Sequence, residues 1–378
     1  MNFILKKIVV FFGGVSTERE ISVITGVLTL NSLDKAIYEP VPVFIDKNGT
    51  AWSGEPLFNL NFYKKMDFKK LYKVNFIIGN AGLFKISRRK NKEIGQIYCA
   101  INCMHGICGE DGMIAGLMKA CNIPLASPDM FSSSLSIDKH LTKLILAGIK
   151  VPCVDYIKLE RENFFSRSEA SIKYVGNKLG FPVIVKPARL GSSIGIKKVN
   201  DATELFPALC EAFNFDDKVL AEKYLPGARD INCAVYKDVN GINVSETEEA
   251  FTVNEILSFE DKYGGSKITG EKRRFPADIE EARSDDIKFY SKTVYKKLGF
   301  SGIVRFDFLL HNGEVYLNEI NSVPGSLAYY LFCNKISEFS DLLHKIIVEA
   351  INNHKKELRR VMDFESNVLS GNWEGIKK

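Results

Sequence analysis

Between Gly302 and Gly325 the chain reads G-I-V-R-F-D-F-L-L-H-N-G-E-V-Y-L-N-E-I-N-S-V-P-G. Two strand-like runs, VRFDFLL and EVYLNEIN, flank a polar turn containing glycine, the signature of a hairpin. In the first run Arg305 and Asp307 share one face, and Val304, Phe306 and Phe308 take the other. In the second, alternation puts Glu319 and Asn321 on a face together with Leu317. Two carboxylates, an amide and a guanidinium thus converge on one patch of sheet. Carboxylates with an amide oxygen are donors that a hard cation such as Mg²⁺ selects. The arginine suits an anionic ligand or a developing oxyanion. All four positions are odd-numbered, so a plain two-residue turn would set the two carboxylates on opposite faces. The sequence therefore predicts a three-residue loop at His311–Gly313, with Gly313 at positive φ, or an equivalent bulge.

A second constellation lies upstream. The runs PVIVK and IGIKKV enclose Pro187-Ala188-Arg189-Leu190-Gly191-Ser192-Ser193. Glycine lets backbone approach a phosphate, serines add short donors, and Lys186 supplies charge. A strand follows the loop and there is no Gly-Lys-Ser/Thr, so this is not a P-loop. Alone it is a moderate signal, with a plain hairpin loop as the competing reading. Beside a Mg²⁺ site, a phosphate cradle means nucleotide chemistry.

These groups need a scaffold, and the chain is long enough for two or three domains at 378 residues. Hydrophobic content of 46% and charged content of 26% are ordinary for a globular protein and argue against disorder except in the polar tail after about Phe364. A net charge of +5 is too small, and too evenly spread, to argue for nucleic acid. The basic run Ser87–Lys92 reads as a solvated turn. No apolar run reaches membrane-spanning length. Eight cysteines without a Cys-x-x-Cys pair or a zinc spacing indicate reduced thiols and a cytoplasmic protein. KIVVFF runs into Gly13-Gly14, then Ser16 and Thr17 as candidate caps, then a helix; such a turn favours anions. Further strand signals at YEPVPVFI and QIYCAINCMHG make an α/β layer of the first ~125 residues. A helix is expected from Asp138-Lys139 through LTKLILAGI, and a closing helix from SDLLHKIIVEA onward.

Together these residues resemble the ATP-grasp superfamily and, within it, the D-alanine–D-alanine ligase family. The likeness spans nearly the whole chain in order. Gly13-Gly14-x-Ser16-x-Glu18-x-Glu20 resembles the family's N-terminal signature, and His105-Gly106-x-x-Gly109-Glu110-Asp111-Gly112 its substrate-domain motif. Asp138-Lys139, Lys186-Pro187, Gly191-Ser192-Ser193-x-Gly195, Glu222-Lys223-Tyr224-Leu225 and Lys262-Tyr263 are similar to its further motifs. So are Arg305-x-Asp307 and Asn318-Glu319-x-Asn321-x-x-Pro324-Gly325.

The resemblance implies an α/β fold with α+β elements, in the three-domain ATP-grasp architecture. An N-terminal α/β substrate domain would span 1–127, a central subdomain 128–225, a C-terminal subdomain 226–363, and a polar tail 364–378. It implies ATP-dependent joining of two D-alanines through an acyl phosphate, for peptidoglycan precursor synthesis, by a homodimer. Asp307, Glu319 and Asn321 would hold two Mg²⁺ (or Mn²⁺). Lys139, Lys186 and Lys262 would neutralise phosphate oxygens, with the Gly191–Ser193 backbone over them. Glu222, Lys223 and Leu225 would bind adenine and Asp230 the ribose. Arg305 and the Gly325 amide would face the oxyanion. His105, Ser326 and Tyr330 would line the substrate subsites. Glu18, Ser192 and Tyr263 would close a loop over the site. Alone, Glu18 reads as a first-turn carboxylate favoured by the helix dipole, His105 as a buried, satisfied histidine, and Tyr263 as an exposed aromatic.

The chain departs from the family at Tyr330, where a small hydroxyl residue is usual, and in the lead-in Phe259-Glu260-Asp261. The departure at Tyr330 implies either an altered second subsite with D-alanine, or another second substrate such as D-serine, D-lactate or a different amino acid.

Overall fold

A computed structural model describes residues 5–191, 193–251, 273–361, 364 and 366. Ser192, Lys262 and Tyr263 lie outside the described residues.

Three sheets are formed among the described residues. The first has seven strands: β1 (Lys6–Gly13), β2 (Tyr38–Ile45), β3 (Ala51–Ser53), β4 (Tyr72–Ile77), β5 (Asn80–Lys85), β6 (Lys92–Gln96) and β7 (Cys99–Asn102). Their order is β6-β5-β4-β3-β2-β1-β7, with β1 parallel to both neighbours. The apolar run Ile8–Phe12 is fully buried, as a central parallel strand covered on both faces requires. Ile8, Val10 and Phe12 pack with helices Arg19–Ser32 and Phe339–Glu357. Val9 and Phe11 face Met104, Ile114 and Met118. The first core therefore runs without a break into the C-terminal helix. Ser16 accepts from the Glu18 N–H at 3.1 Å, but the residue at the helix N-cap is Glu18 itself, which corrects the expected Ser/Thr cap.

The second sheet holds β8 (Tyr156–Glu160), β9 (Val183–Pro187), β10 (Lys197–Val199) and β11 (Lys218–Lys223), in the order β10-β9-β11-β8. Helices Ser168–Leu179 and Ala202–Ala212 cover it. The third comprises β12 (Arg229–Asp238), β13 (Gly241–Val244), β14 (Glu248–Ala250), β15 (Arg273–Arg274), β16 (Ile303–His311) and β17 (Glu314–Asn321). Helix Glu281–Lys297 buries Ile287, Val294 and Tyr295 under β12, β16 and β17.

The β16–β17 hairpin settles the parity question. Its turn has two residues, Asn312-Gly313, with φ of 50° and 77°, and His311 pairs with Glu314. The three-residue loop is thus not the solution; the bulge is. The register shifts between Asp307 and Phe308, so that Phe308 pairs with Leu317 while Asp307 pairs with Glu319. Asn318 is the extra residue. The same bulge corrects the expected face of Leu317: it is buried among Phe306, Phe308 and Ile320, opposite the acidic face.

Candidate active site

The second and third sheets face each other across a cavity of about 860 Å³, inside the ~300–1,000 Å³ usual for small-molecule sites. Its walls include Lys139, Lys186, Ser193, Glu222, Lys223, Leu225, Asp230, Arg305, Asp307, Glu319, Gly325, Ser326 and Tyr330. A smaller cavity adjoins it, lined by Glu18, His105, Gly191, Arg305, Glu319, Asn321 and Gly325. Every described site residue inferred from the sequence lies on one of these two walls.

At one end, buried Glu222 sits between two lysines. Its Oε2 is 2.8 Å from Lys186 Nζ and its Oε1 3.1 Å from Lys143 Nζ. Burial alone would raise the Glu222 carboxyl, but Lys143 and Lys186 outweigh it and hold it below the usual carboxylate range. Burial lowers Lys186 in turn, against the pull of Glu222. Oε1 is buried without a well-directed hydrogen bond, and Glu222 lines this end of the cavity. Lys223, Tyr224 and Leu225 continue the wall from the end of β11, and Asp230 projects from β12.

The acidic face is as the alternation requires. Asp307 is directly opposite Glu319, and Arg305 opposite Asn321. Like charges opposed in this way repel unless a cation lies near. Arg305 grips Asp307 with two bonds, Nε to Oδ1 at 2.7 Å and Nη2 to Oδ2 at 2.9 Å. Asn321 Nδ2 donates to Asp307 Oδ2 at 2.9 Å, and Lys139 Nζ is 3.0 Å from Glu319 Oε1. The two side-chain cations occupy carboxylate oxygens that a divalent ion would use, so the donor set fits hard-cation binding. Among the described residues no group of three or more His, Cys, Asp or Glu forms a closed metal cage.

Lys139 also donates to the Leu190 carbonyl at 2.6 Å, tying the acidic face to the loop after β9. Asp138 starts its helix by accepting from the His140 and Leu141 N–H groups. The bulge turns Asn318 to the same side as Glu319, and its Oδ1 accepts from Lys186 at 3.0 Å.

At the other end, Glu18 is buried beside Gly191 and Gly106. A Cβ on Gly191 would stand 3.0 Å from Glu18 Oε2, and one on Gly106 2.9 Å. His105 is buried, with Nε2 3.1 Å from Thr25 Oγ1. Thr25 Oγ1 also accepts from the Ser326 N–H at 2.9 Å. That bond anchors three successive left-handed residues, Ser326, Leu327 and Ala328, with φ of 52°, 50° and 47°. Such a run is costly for residues with a Cβ. Glu110 accepts from the Gly106 and Val323 N–H groups at 2.9 and 3.1 Å. Burial and the neighbouring Glu18 push its carboxyl up to about 8.

Burial pulls His105 down to about 3, helped by Arg305. A histidine that folding keeps neutral takes up its proton on unfolding, so stability falls as pH drops below its ordinary value near 6.5 and toward 3. Between pH 7 and 5 this contribution amounts to about 2 kcal/mol. Urea unfolding at both values should show His105→Asn losing about that much less stability than the parent chain. Equal losses would mean that His105 is not buried as the neutral base.

Lys143, Asn318, Thr25 and Glu110 carry site contacts that the sequence reading assigned no role. Lys143 had a signal: it sits one helical turn after Lys139, on the same face. Asn318 had only its place in the family motif, because strict alternation points it into the core.

The sequence also matches known proteins. The family described as D-ala D-ala ligase N-terminus matches residues 7–128, and D-ala D-ala ligase C-terminus matches residues 145–349. A D-alanine–D-alanine ligase of Thermosipho melanesiensis is 37% identical over 365 residues, covering 95% of this chain and 97% of that one. Among solved structures, the D-alanine–D-alanine ligase of Helicobacter pylori superposes with a TM-score of 0.73 at 31% identity, over 90% of this chain and 98% of its own. The VanG D-Ala:D-Ser ligase of Enterococcus faecalis gives 0.76 at 27% identity, over 92% and 100%.

Proposed function

Since the chain belongs to the D-alanine–D-alanine ligase family, we propose how its own residues divide the work of that reaction. The protein has the ATP-grasp fold and is an ATP-dependent ligase that joins two D-alanines for cell-wall synthesis. The terminal phosphoryl group of ATP passes to a carboxylate oxygen of the first D-alanine, and ADP departs. The amine of the second D-alanine, having lost a proton, attacks the acyl carbon. The C–N bond forms, the C–O bond to phosphate breaks, and inorganic phosphate leaves.

The adenine ring fits against Glu222 and the backbone of Lys223–Leu225. The Glu222 carboxylate, buried at this end of the cavity wall, suits the exocyclic amine, and Asp230 suits the ribose hydroxyls. Lys186 from β9 and Lys139 from the helix that starts at Asp138 would reach the phosphates, with the Gly191–Ser193 backbone over them. Asp307, Glu319 and Asn321 would hold two Mg²⁺ (or Mn²⁺), which when bound neutralise phosphate oxygens and orient them for in-line transfer. Glu18 takes the ammonium of the first D-alanine in the small cavity, beside neutral His105. Arg305 and the Gly325 N–H face the oxygen that becomes negative as the second amine adds. Ser326 and Tyr330 border the second subsite. Ser192, Lys262 and Tyr263 complete the closing set by family resemblance. We also place the enzyme in the cytoplasm as a homodimer. Eight free cysteines support the compartment, and no helix among the described residues is long and apolar enough to cross a membrane. The homodimer rests on the family alone.

The observation that carries this reading is the Asp307–Glu319 pair facing the Lys139-bound loop across one cavity. Phosphate release with ATP and Mg²⁺ over a panel of D- and L-amino acids and D-hydroxy acids tests it. D-Alanine alone should support turnover. Release with a different acid only would overturn the assignment.

A further inference from the structure

Tyr330 is held between two guanidinium groups. Arg305 Nη1 donates to its hydroxyl oxygen at 3.3 Å. The Arg273 guanidinium lies over its ring, 4.7 Å from the centroid. The two arginines differ in what else they hold. Arg305 is clamped on Asp307 through Nε and Nη2. Arg273 makes one ion pair, Nη1 to Glu248 Oε1 at 3.2 Å, and its side chain is 53% exposed. Of the other lysines on the cavity wall, Lys139 is engaged with Glu319 and Lys186 with Glu222, and Lys223 ends β11, next to Glu222. Among the described residues, Arg273 is therefore the wall cation on the Tyr330 side with hydrogen-bonding edges to spare.

The reaction itself creates a demand for such a cation, and this step rests on the functional reading above. The second amino acid must bring its amine to a carbonyl between Arg305 and Gly325. Its own carboxylate is one carbon from that amine, so it arrives in the same corner of the cavity. A carboxylate leaving water needs charged or strong donors. We propose that Arg273, stacked on Tyr330, receives the carboxylate of the acceptor amino acid, with the Tyr330 hydroxyl as second donor. Because the Tyr330 oxygen accepts from Arg305, its own hydrogen points away from that bond and is available to the ligand. Burial raises the phenol above its ordinary range, so it stays a neutral donor. The ring presets the plane of the Arg273 guanidinium, which lowers the entropy lost on pairing. The bulky residue at position 330 is then a platform for a cation, and the pair replaces a small hydroxyl.

D-Alaninamide separates this subsite from the rest of the site. It lacks the carboxylate that is phosphorylated, so it can enter only as acceptor. Mixed with D-alanine, ATP and Mg²⁺, it yields a dipeptide amide that mass spectrometry distinguishes from the dipeptide. The parent enzyme should prefer D-alanine as acceptor by about ten- to a hundredfold in kcat/KM. Arg273→Met, which still covers the ring, should raise the KM of the second D-alanine by a similar factor and erase that preference. The KM values for ATP and the first D-alanine should move by less than about threefold, and Arg273→Lys should restore part of the loss. Equal losses for both acceptors in Arg273→Met, or a parent enzyme indifferent to the amide, would overturn the proposal. No phosphate release by the parent enzyme with D-alanine would instead overturn the functional reading, and this proposal with it.

Discussion

Glu319→Gln should release no phosphate above background, a loss of at least about a thousandfold in kcat. Gln matches Glu in size and can still accept from Lys139, so the 3.0 Å contact need not collapse. What disappears is one of two negative charges on a single rung of the sheet. A hard cation binds that charge far better than an amide oxygen. The variant should keep the circular dichroism and unfolding midpoint of the parent chain. It should also need a much higher Mg²⁺ concentration for any residual turnover. Near-parental activity at ordinary Mg²⁺ would remove Glu319 from the metal-binding set.

Glu222→Leu should destabilise the chain by about 3–5 kcal/mol, as measured by urea unfolding. The substitution strands Lys143 and Lys186, both buried, without their shared counter-charge. Replacing all three by apolar residues (Lys143→Met, Lys186→Met, Glu222→Leu) should recover most of that stability, since a buried ion network often breaks even against hydrophobic packing. The triple variant should still fail to bind ATP in calorimetry. Recovered stability with lost binding would assign the triad to nucleotide recognition. A triple variant no more stable than the single one would show instead that the network is a structural requirement.

Much of this was legible in the residue order. Alternation alone put Arg305 and Asp307 on one face and Phe306 and Phe308 on the other, and both strands formed as read. The Gly-Ser loop between β9 and β10, the Asp138 helix start and the buried strand β1 were equally plain. The less legible parts fail for identifiable reasons. Strands β3–β6 are short, and their buried and exposed positions follow no steady alternation, so no periodic signal marks them. Thr25 and Arg273 matter only through partners far along the chain, which spacing cannot reveal. Parity did require an irregularity in the hairpin, but it could not say whether the tip or the strand would absorb it. An Asn-Gly pair makes a tight two-residue turn so readily that the strand took the extra residue.

That extra residue changes how crowded one rung of the sheet can be. An ordinary antiparallel rung offers a given face two side chains, one per strand. At Asp307 this ladder offers three, since Asn318 and Glu319 both turn toward the cavity between buried Leu317 and Ile320. One rung can then speak to two neighbours at once: Glu319 to Lys139 on a helix, and Asn318 to Lys186 on the facing sheet. A helix spaces its face-mates a turn apart, and a loop could crowd them but would not hold them still. By lodging one surplus amide in a strand, the chain gains local polar density while both flanking segments keep their ladder pairing.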